Sequence, residues 1–288
     1  TPERSKQLFD QFIKRATPTA SSDKVPYTLR REQAQAVEQT LCYIQGNQTV
    51  DFAMPNSRAQ YLWNAKPRFG KTLTTYDLIK RLGARNVLIV TNRPAIADSW
   101  YGDYRRFVEG YYFISETGLI RDEAMTRAEY LEIMDQDKKQ ITFLSLQDLK
   151  GARVFGGKYD KLEWIADLGW DLLVIDEAHE GVDTRKTDKA FERIKRRFTL
   201  HLSGTPFKAL ADNKFAGDQI FNWSYLDEQK AKEAELAADN EAGAHTDMPD
   251  LRLFNYKISE ATVDTINEGM EINGKRVAPA SDLNEFFR

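Results

Sequence analysis

One cysteine and three histidines are all that this 288-residue sequence offers to a soft metal or a disulfide. The lone Cys42 cannot close an internal bridge, and no Cys/His group has zinc-ligand spacing. Cys42 stands among Leu41, Tyr43 and Ile44, so it is expected to be buried and inert. Long apolar runs are also missing. No stretch is long enough to cross a bilayer and none reads as a signal-peptide core, so a cytoplasmic chain with no membrane partner is expected. An excess of one charge is lacking too: 41 Lys and Arg stand against 44 Asp and Glu, for a formal net charge of -3. Binding nucleic acid by bulk charge is thereby excluded, and any such contact has to come from local basic patches. Thr1 stands where a starting Met would, so the chain is expected to be a piece of a longer protein.

What is present suits a sizeable packed domain: 41% of residues are hydrophobic and 30% are charged. Residues 1–24 open with Leu8, Phe9, Phe12 and Ile13 at helical spacing and close in a loop. Tyr27 to Ile44 reads as a second helix. Apolar strands then alternate with amphipathic helices. The expected strands are Gln60–Asn64, Asn86–Thr91, Tyr111–Ser115, Ile141–Ser145, Asp171–Asp176 and Thr199–Ser203, with helices at Thr72–Leu82 and Ala97–Val108. Near-continuous Val/Ile/Leu strands between helices imply an α/β fold, a mostly parallel sheet covered on both faces. Ligands on such sheets bind at the carboxyl ends of the strands. Past Pro206 the character changes. Residues 226–245 read as an exposed charged helix running into a polar loop, Leu251–Ile258 as one more strand, and Ile272-Asn273-Gly274-Lys275 as a hairpin turn.

Two segments carry the chemistry. Ala65-Lys66-Pro67-Arg68-Phe69-Gly70-Lys71-Thr72 ends in Gly-Lys-Thr at the start of a helix, like a phosphate loop with Ala65 in place of its first glycine. Backbone N–H groups of the loop can surround phosphate oxygens, and Gly70 permits close approach. Lys71 would then meet the β- and γ-phosphates, and the Thr72 hydroxyl would bind Mg²⁺. A helix start with a first-turn lysine would look the same in isolation. The second segment, Asp171-Leu172-Leu173-Val174-Ile175-Asp176-Glu177, is a buried strand with two carboxylates at its carboxyl end. Asp176 would hold Mg²⁺, and Glu177 would orient and deprotonate the water that attacks the γ-phosphorus.

Asp176-Glu177-Ala178-His179 spells the DEAH box, and with Ala65–Thr72 it resembles the DEAD/DEAH-box-like helicases and translocases of superfamily two. Further matches follow in family order across residues 27–207. Leu29-Arg30-Arg31-Glu32-Gln33 resembles the motif whose glutamine reads adenine. The resemblance assigns Gln33 to the base, with Arg30 beside it and Tyr27 against the purine ring. A side-chain amide suits this, since it can pair with adenine N6 and N7 together. Val90-Thr91-Asn92-Arg93-Pro94 and Leu144-Ser145-Leu146-Gln147 resemble strand-end motifs on the nucleic-acid side, which nominates Arg93, Gln147 and nearby Trp100 as DNA contacts. Ser203-Gly204-Thr205-Pro206 resembles the motif that couples nucleotide state to domain movement, shared in the family by His179. The loop, His179-Glu180-Gly181 and Leu202–Phe207 look most like the helicase-like subunit of type III restriction enzymes.

The resemblance implies a RecA-like P-loop NTPase lobe over residues 25–210, an N-terminal helix and loop over 1–24, and over 211–288 an inter-lobe segment or the start of a truncated second region. It implies ATP and Mg²⁺ as cofactors and duplex DNA as partner. A second RecA-like lobe is expected elsewhere in the parent protein, because its arginine motif does not follow Pro206. A methyltransferase or specificity subunit is a further expected partner. Two alternatives stay open: a superfamily-two helicase of DNA repair or RNA metabolism, and a nucleotide-gated DNA-binding regulator without turnover.

Overall fold

The computed structural model describes residues 6, 24–46, 59–115, 120, 123–177, 190–204, 214–238 and 243–249, and the backbone of 270–272 and 275–277. Seven strands form one sheet in the order β3-β4-β2-β5-β6-β1-β7, and every neighbouring pair is parallel. They are β1 (Gln60–Ala65), β2 (Asn86–Thr91), β3 (Tyr112–Ser115), β4 (Gln140–Ser145), β5 (Trp170–Asp176), β6 (Arg196–Ser203) and β7 (Ile220–Trp223). The main helices are α1 (Arg31–Gly46), α2 (Lys71–Leu82) and α3 (Ala97–Phe107). Short ones follow: α4 (Arg127–Leu131), α5 (Leu146–Gly151) and α6 (Glu163–Asp167), then the longer α7 (Tyr225–Ala237). None of the described helices is long and apolar enough to cross a membrane.

Alternation along the strands explains the layers. Val87, Ile89, Ile141, Phe143, Leu172 and Val174 face one side, where they meet Ala36 and Val37 of α1, Leu78 and Ile79 of α2, and Trp100 and Tyr104 of α3. Leu88, Val90, Leu144, Leu173 and Ile175 face the other, against Leu146 and Leu149 of α5 and Ile165 of α6. Both faces are buried, which is why these strands read as unbroken apolar runs. Parallel pairing sends all seven carboxyl ends to one edge. There Thr91 is in register with Asp176, Asp176 with Leu202, and Asn64 with Ser203. Helix α2 runs back from that edge and stops at Gly83, whose left-handed φ of 63° lets its N–H reach the Ile79 and Lys80 carbonyls.

Four expectations shift. The sheet continues past residue 210, because β7 pairs with β1. Helix α1 starts at Arg31, not at Tyr27; residues 25–30 have no regular secondary structure. Cys42 is exposed, because α1 buries the face carrying Gln33, Ala36, Val37, Thr40 and Ile44, and Cys42 lies off it. Helix α7 is not wholly exposed, since its Glu228 is buried. In the second compact unit, 247–288, β8 (Met270–Ile272) and β9 (Lys275–Val277) pair antiparallel with Ile272 opposite Lys275, as the hairpin turn requires. The expected helix near residue 10 and strand Leu251–Ile258 lie outside the described residues, as do His179 and Thr205.

Candidate nucleotide site

The loop between β1 and α2 is shaped by its backbone and gripped by its neighbours. Arg68 and Gly70 both take the left-handed conformation, at φ 67° and 86°. That strains Arg68 and is free for Gly70. Gly70 is required for a second reason: a Cβ there would lie 2.5 Å from Gln33 Nε2. Gln33 Nε2 donates to the Phe69 carbonyl (2.7 Å), and Arg30 Nη2 donates to the same oxygen (2.7 Å). Gln33 Oε1 accepts from the Arg30 N–H (2.8 Å). A side-chain amide has two N–H groups and two lone pairs, so Gln33 keeps one of each for a base while it holds the loop. Tyr27 donates to Asp77 Oδ1 of α2 (3.2 Å) and packs its ring edge-on to Phe107 (5.6 Å). Burial, with Asp77 adding to it, raises its hydroxyl pKa. Phe69 is fully buried against Phe221 of β7 (5.9 Å).

Lys71 opens α2. Its ammonium donates to the Ala65 carbonyl (3.0 Å), closing the loop on itself. Burial lowers its pKa; the fields of Glu177 and Asp176 oppose that shift, and Lys66 adds to it. The fields of the acid pair therefore reach the lysine. Thr72 follows Lys71 in the first turn of α2, partly buried.

Asp176 is held by neutral donors. Asp176 is buried at the end of β5; Trp100 Nε1 donates to its Oδ2 (3.0 Å), and the Glu177 N–H to its Oδ1 (2.9 Å). Its carboxyl pKa is raised by burial. Glu177 raises it further, while the two donors and Lys71 pull it back. Glu177 itself sits at φ 55°, a left-handed backbone that costs a non-glycine residue about 1 kcal/mol or more and that clusters at functional sites. Trp100 is in turn fixed from α2: Tyr76 donates its hydroxyl to the Trp100 carbonyl (2.7 Å) and sets its ring edge-on to the indole (5.4 Å). This corrects the assignment of Trp100 to DNA. The side chain is 1% exposed and points its N–H at Asp176, so no nucleic acid can stack on it.

The remaining candidates fall at the same edge. Ser203 ends β6 fully buried, and a Cβ on the adjoining Gly204 would stand 3.4 Å from Pro67 Cδ and 3.5 Å from the Ala65 carbonyl. Gly204, just after β6, therefore abuts the loop between β1 and α2. Arg93 after β2 and Gln147 in α5 are exposed, each just beyond a strand end.

Sequence reasoning missed a second, ionic layer around the loop. Lys66 Nζ lies 2.8 Å from Glu228 Oε2 of α7, both buried. His245 lies between Glu235 (Nδ1 to Oε1, 2.8 Å) and Glu32 (Nε2 to Oε1, 3.3 Å), and Glu32 also pairs with Arg30 (2.5 Å). No spacing rule links such distant positions.

The family model for the type III restriction enzyme res subunit matches residues 26–208. A putative type II restriction enzyme and methyltransferase (C-terminal part) of Mycoplasma pneumoniae is 29% identical over 279 residues, covering 83% of this chain and 37% of the relative, so the chain spans well under half of that protein. Among solved structures, the SWI2/SNF2 ATPase core of Sulfolobus solfataricus in complex with dsDNA is 16% identical, with 76% of this chain and 41% of that chain covered, at a TM-score of 0.46. The UvsW helicase of bacteriophage T4 is 15% identical, with 75% of this chain and 67% of that chain covered, at a TM-score of 0.43. The chain belongs to the family of type III restriction enzyme res subunits, and residues 26–208 are its helicase-like domain.

Proposed function

We propose that this chain is the ATP-binding and hydrolysing lobe of a DNA translocase or helicase, the motor of a restriction-modification enzyme. The observation that carries the proposal is that Lys71, opening the helix after β1, and the carboxylates at the end of β5 stand at one edge of the parallel sheet, with α2 linked to Asp176 through Tyr76 and Trp100. Such a pattern suits a triphosphate with its cation. The donor set fits Mg²⁺, which takes one or two carboxylates plus phosphate oxygens and keeps several waters. The described residues accordingly need no cluster of three His, Cys, Asp or Glu side chains, and they hold none. Mg²⁺, when bound, supplies charge that offsets the phosphoryl oxygens. Asp176 and Thr72 would hold it, Lys71 would neutralise the terminal phosphates, and Glu177 would orient the attacking water and take its proton. Arg30 and Gln33 shape the loop and leave the Gln33 amide able to read a base. Exposed Arg93 and Gln147 lie where a DNA backbone would run along the strand ends. His179, Ser203 and Thr205 would relay nucleotide state to a second lobe, which brings the arginines that complete turnover.

The restriction reading is favoured over repair or RNA metabolism by the relative's being a putative restriction enzyme and methyltransferase. The test is ATP hydrolysis by the longest form of the protein with duplex DNA, single-stranded DNA and RNA in parallel. Duplex-stimulated turnover is expected, abolished by Glu177→Gln with ATP binding kept. Normal turnover by that variant would remove Glu177 as the base. An intact protein that binds ATP but never turns over would favour the nucleotide-gated regulator. The 288-residue chain by itself is expected to bind nucleotide and hydrolyse it poorly.

A further inference from the structure

The pair between Lys66 and Glu228 lies at the start of the loop between β1 and α2. Lys66 is 6% exposed and Glu228 3%. The ammonium has three N–H donors, and each has a place to go: Glu228 Oε2 at 2.8 Å, the Pro67 carbonyl at 3.2 Å, and the face of Tyr225, whose ring centre is 4.8 Å away. The Lys66 backbone N–H is bonded to the Trp223 carbonyl (3.0 Å). Glu228 is in turn set by the start of α7, where Ser224 and Asp227 form a reciprocal cap and the Glu228 N–H bonds the Ser224 carbonyl (3.2 Å). The loop is thus clamped at both ends. Arg30 and Gln33 hold Phe69, and α7 holds Lys66, with the strained Arg68 between them.

Resting on the phosphate-loop reading, we propose that Glu228 is a positioning residue for the nucleotide site. It consumes the charge of Lys66, fixes the loop where it leaves β1, and leaves Lys71 as the loop lysine that meets the phosphates. Lys66 is then a structural cation of the loop and not a phosphate ligand. The arrangement also ties α7 to the shape of the loop.

The test is equilibrium binding of a fluorescent ATP analogue to the 288-residue chain, well below its unfolding temperature. Wild type should bind, and Lys71→Met should not. Glu228→Gln leaves a buried ammonium without its partner, and affinity should fall at least about tenfold as the loop rearranges. Replacing both partners by apolar groups of similar length, Lys66→Met with Glu228→Met, should restore affinity to within about threefold of wild type, because a well-packed neutral pair can substitute for a buried ionic one. The double variant also carries the test should Glu228→Gln fail to fold. A double variant that folds yet stays tenfold weak would make Lys66 a phosphate ligand and overturn the proposal. Wild-type affinity in a folded Glu228→Gln would overturn it as well. Absence of binding by wild type would instead sink the phosphate-loop reading, and the proposal with it.

Discussion

Two lysines of one loop sit in opposite electrostatic surroundings. Lys66 has a buried carboxylate 2.8 Å away, a carbonyl and an aromatic face. Among the described residues Lys71 has one hydrogen bond, to a carbonyl, and burial works against its charge. A parallel difference separates the carboxylates. Glu228 is matched by a cation, whereas both oxygens of Asp176 accept from neutral N–H groups that orient the group without cancelling its charge. Along the β1–β7 flank, then, charge is settled within the fold. Between β1 and β5 Lys71 and the acid pair feel each other's fields, yet burial still disfavours the charge on Lys71 and on Asp176, at a cost in stability that a bound ligand could relieve. The unsettled charges mark the site better than the number of charged residues does.

The largest test of this comparison is to remove each lysine in turn. Lys66→Met should cost about 3–5 kcal/mol of folding stability, since it strands the Glu228 carboxylate out of water. Lys71→Met should cost nothing or stabilise the ligand-free fold, while abolishing nucleotide binding. Urea unfolding of the two variants beside wild type reads both. Equal losses would erase the distinction between settled and unsettled charge.

Asp176→Asn probes the other unsettled group. Its raised carboxyl pKa fixes the sign: above the folded-state value the ionised group burdens the ligand-free fold. That burden fades as pH falls through this value, because the folded state takes up the proton before the unfolded state does. Asp176→Asn should therefore melt higher than wild type at neutral pH, with the gap closing as pH is lowered. It should also lose the dependence of nucleotide binding on Mg²⁺. A gap that widens toward acid would mean that the carboxylate is stabilised where it stands.

Much of this frame was legible in the sequence. β2 occupies the expected residues Asn86–Thr91, and β5 ends on Asp176, because buried strands carry long Val/Ile/Leu runs that end in a polar residue. β7 escaped notice because Ile220-Phe221-Asn222-Trp223 is too short to show a period against its polar flanks. Cys42 was misjudged from apolar neighbours in sequence when helical phase decides burial. Trp100 was read as a nucleic-acid contact because it follows a strand-end motif, yet α3 turns it back under the sheet edge. Glu228 was invisible for a different reason: nothing local marks one acid of a charged helix as the partner of a loop lysine far earlier in the chain.

Trp100→Phe is a smaller perturbation of the unsettled side. It keeps an aromatic ring against Tyr76 and removes only the N–H that aims at Asp176. Losing such an orienting partner weakens metal sites by about tenfold or more. The expected result is a Mg²⁺ requirement raised about tenfold in nucleotide binding, with affinity in the absence of Mg²⁺ unchanged. A titration with Mn²⁺ followed by electron paramagnetic resonance checks the metal directly. An unchanged requirement would reduce Trp100 to packing.

A third way of handling buried charge closes the comparison, and it has the smallest effect. His201 on β6 is partly buried, edge-on to Phe215 at 5.0 Å. Burial first, then Arg196 and Lys214, push its pKa down to about 3. Here the surroundings disfavour the charged form instead of matching it or leaving it for a ligand. Between pH 6.5 and about 3 the unfolded chain takes a proton at this residue that the folded chain refuses. Stability is therefore full above pH 6.5 and declines as pH falls through that window, by about 1.4 kcal/mol per pH unit at most. His201→Gln has no such proton to refuse, so its unfolding free energy should lose that part of the slope between pH 6.5 and 5, whatever its absolute stability. Parallel pH profiles for the two proteins would show that His201 is protonated in the fold. In that case the β6 flank, like β7, would have to contain a charge already matched.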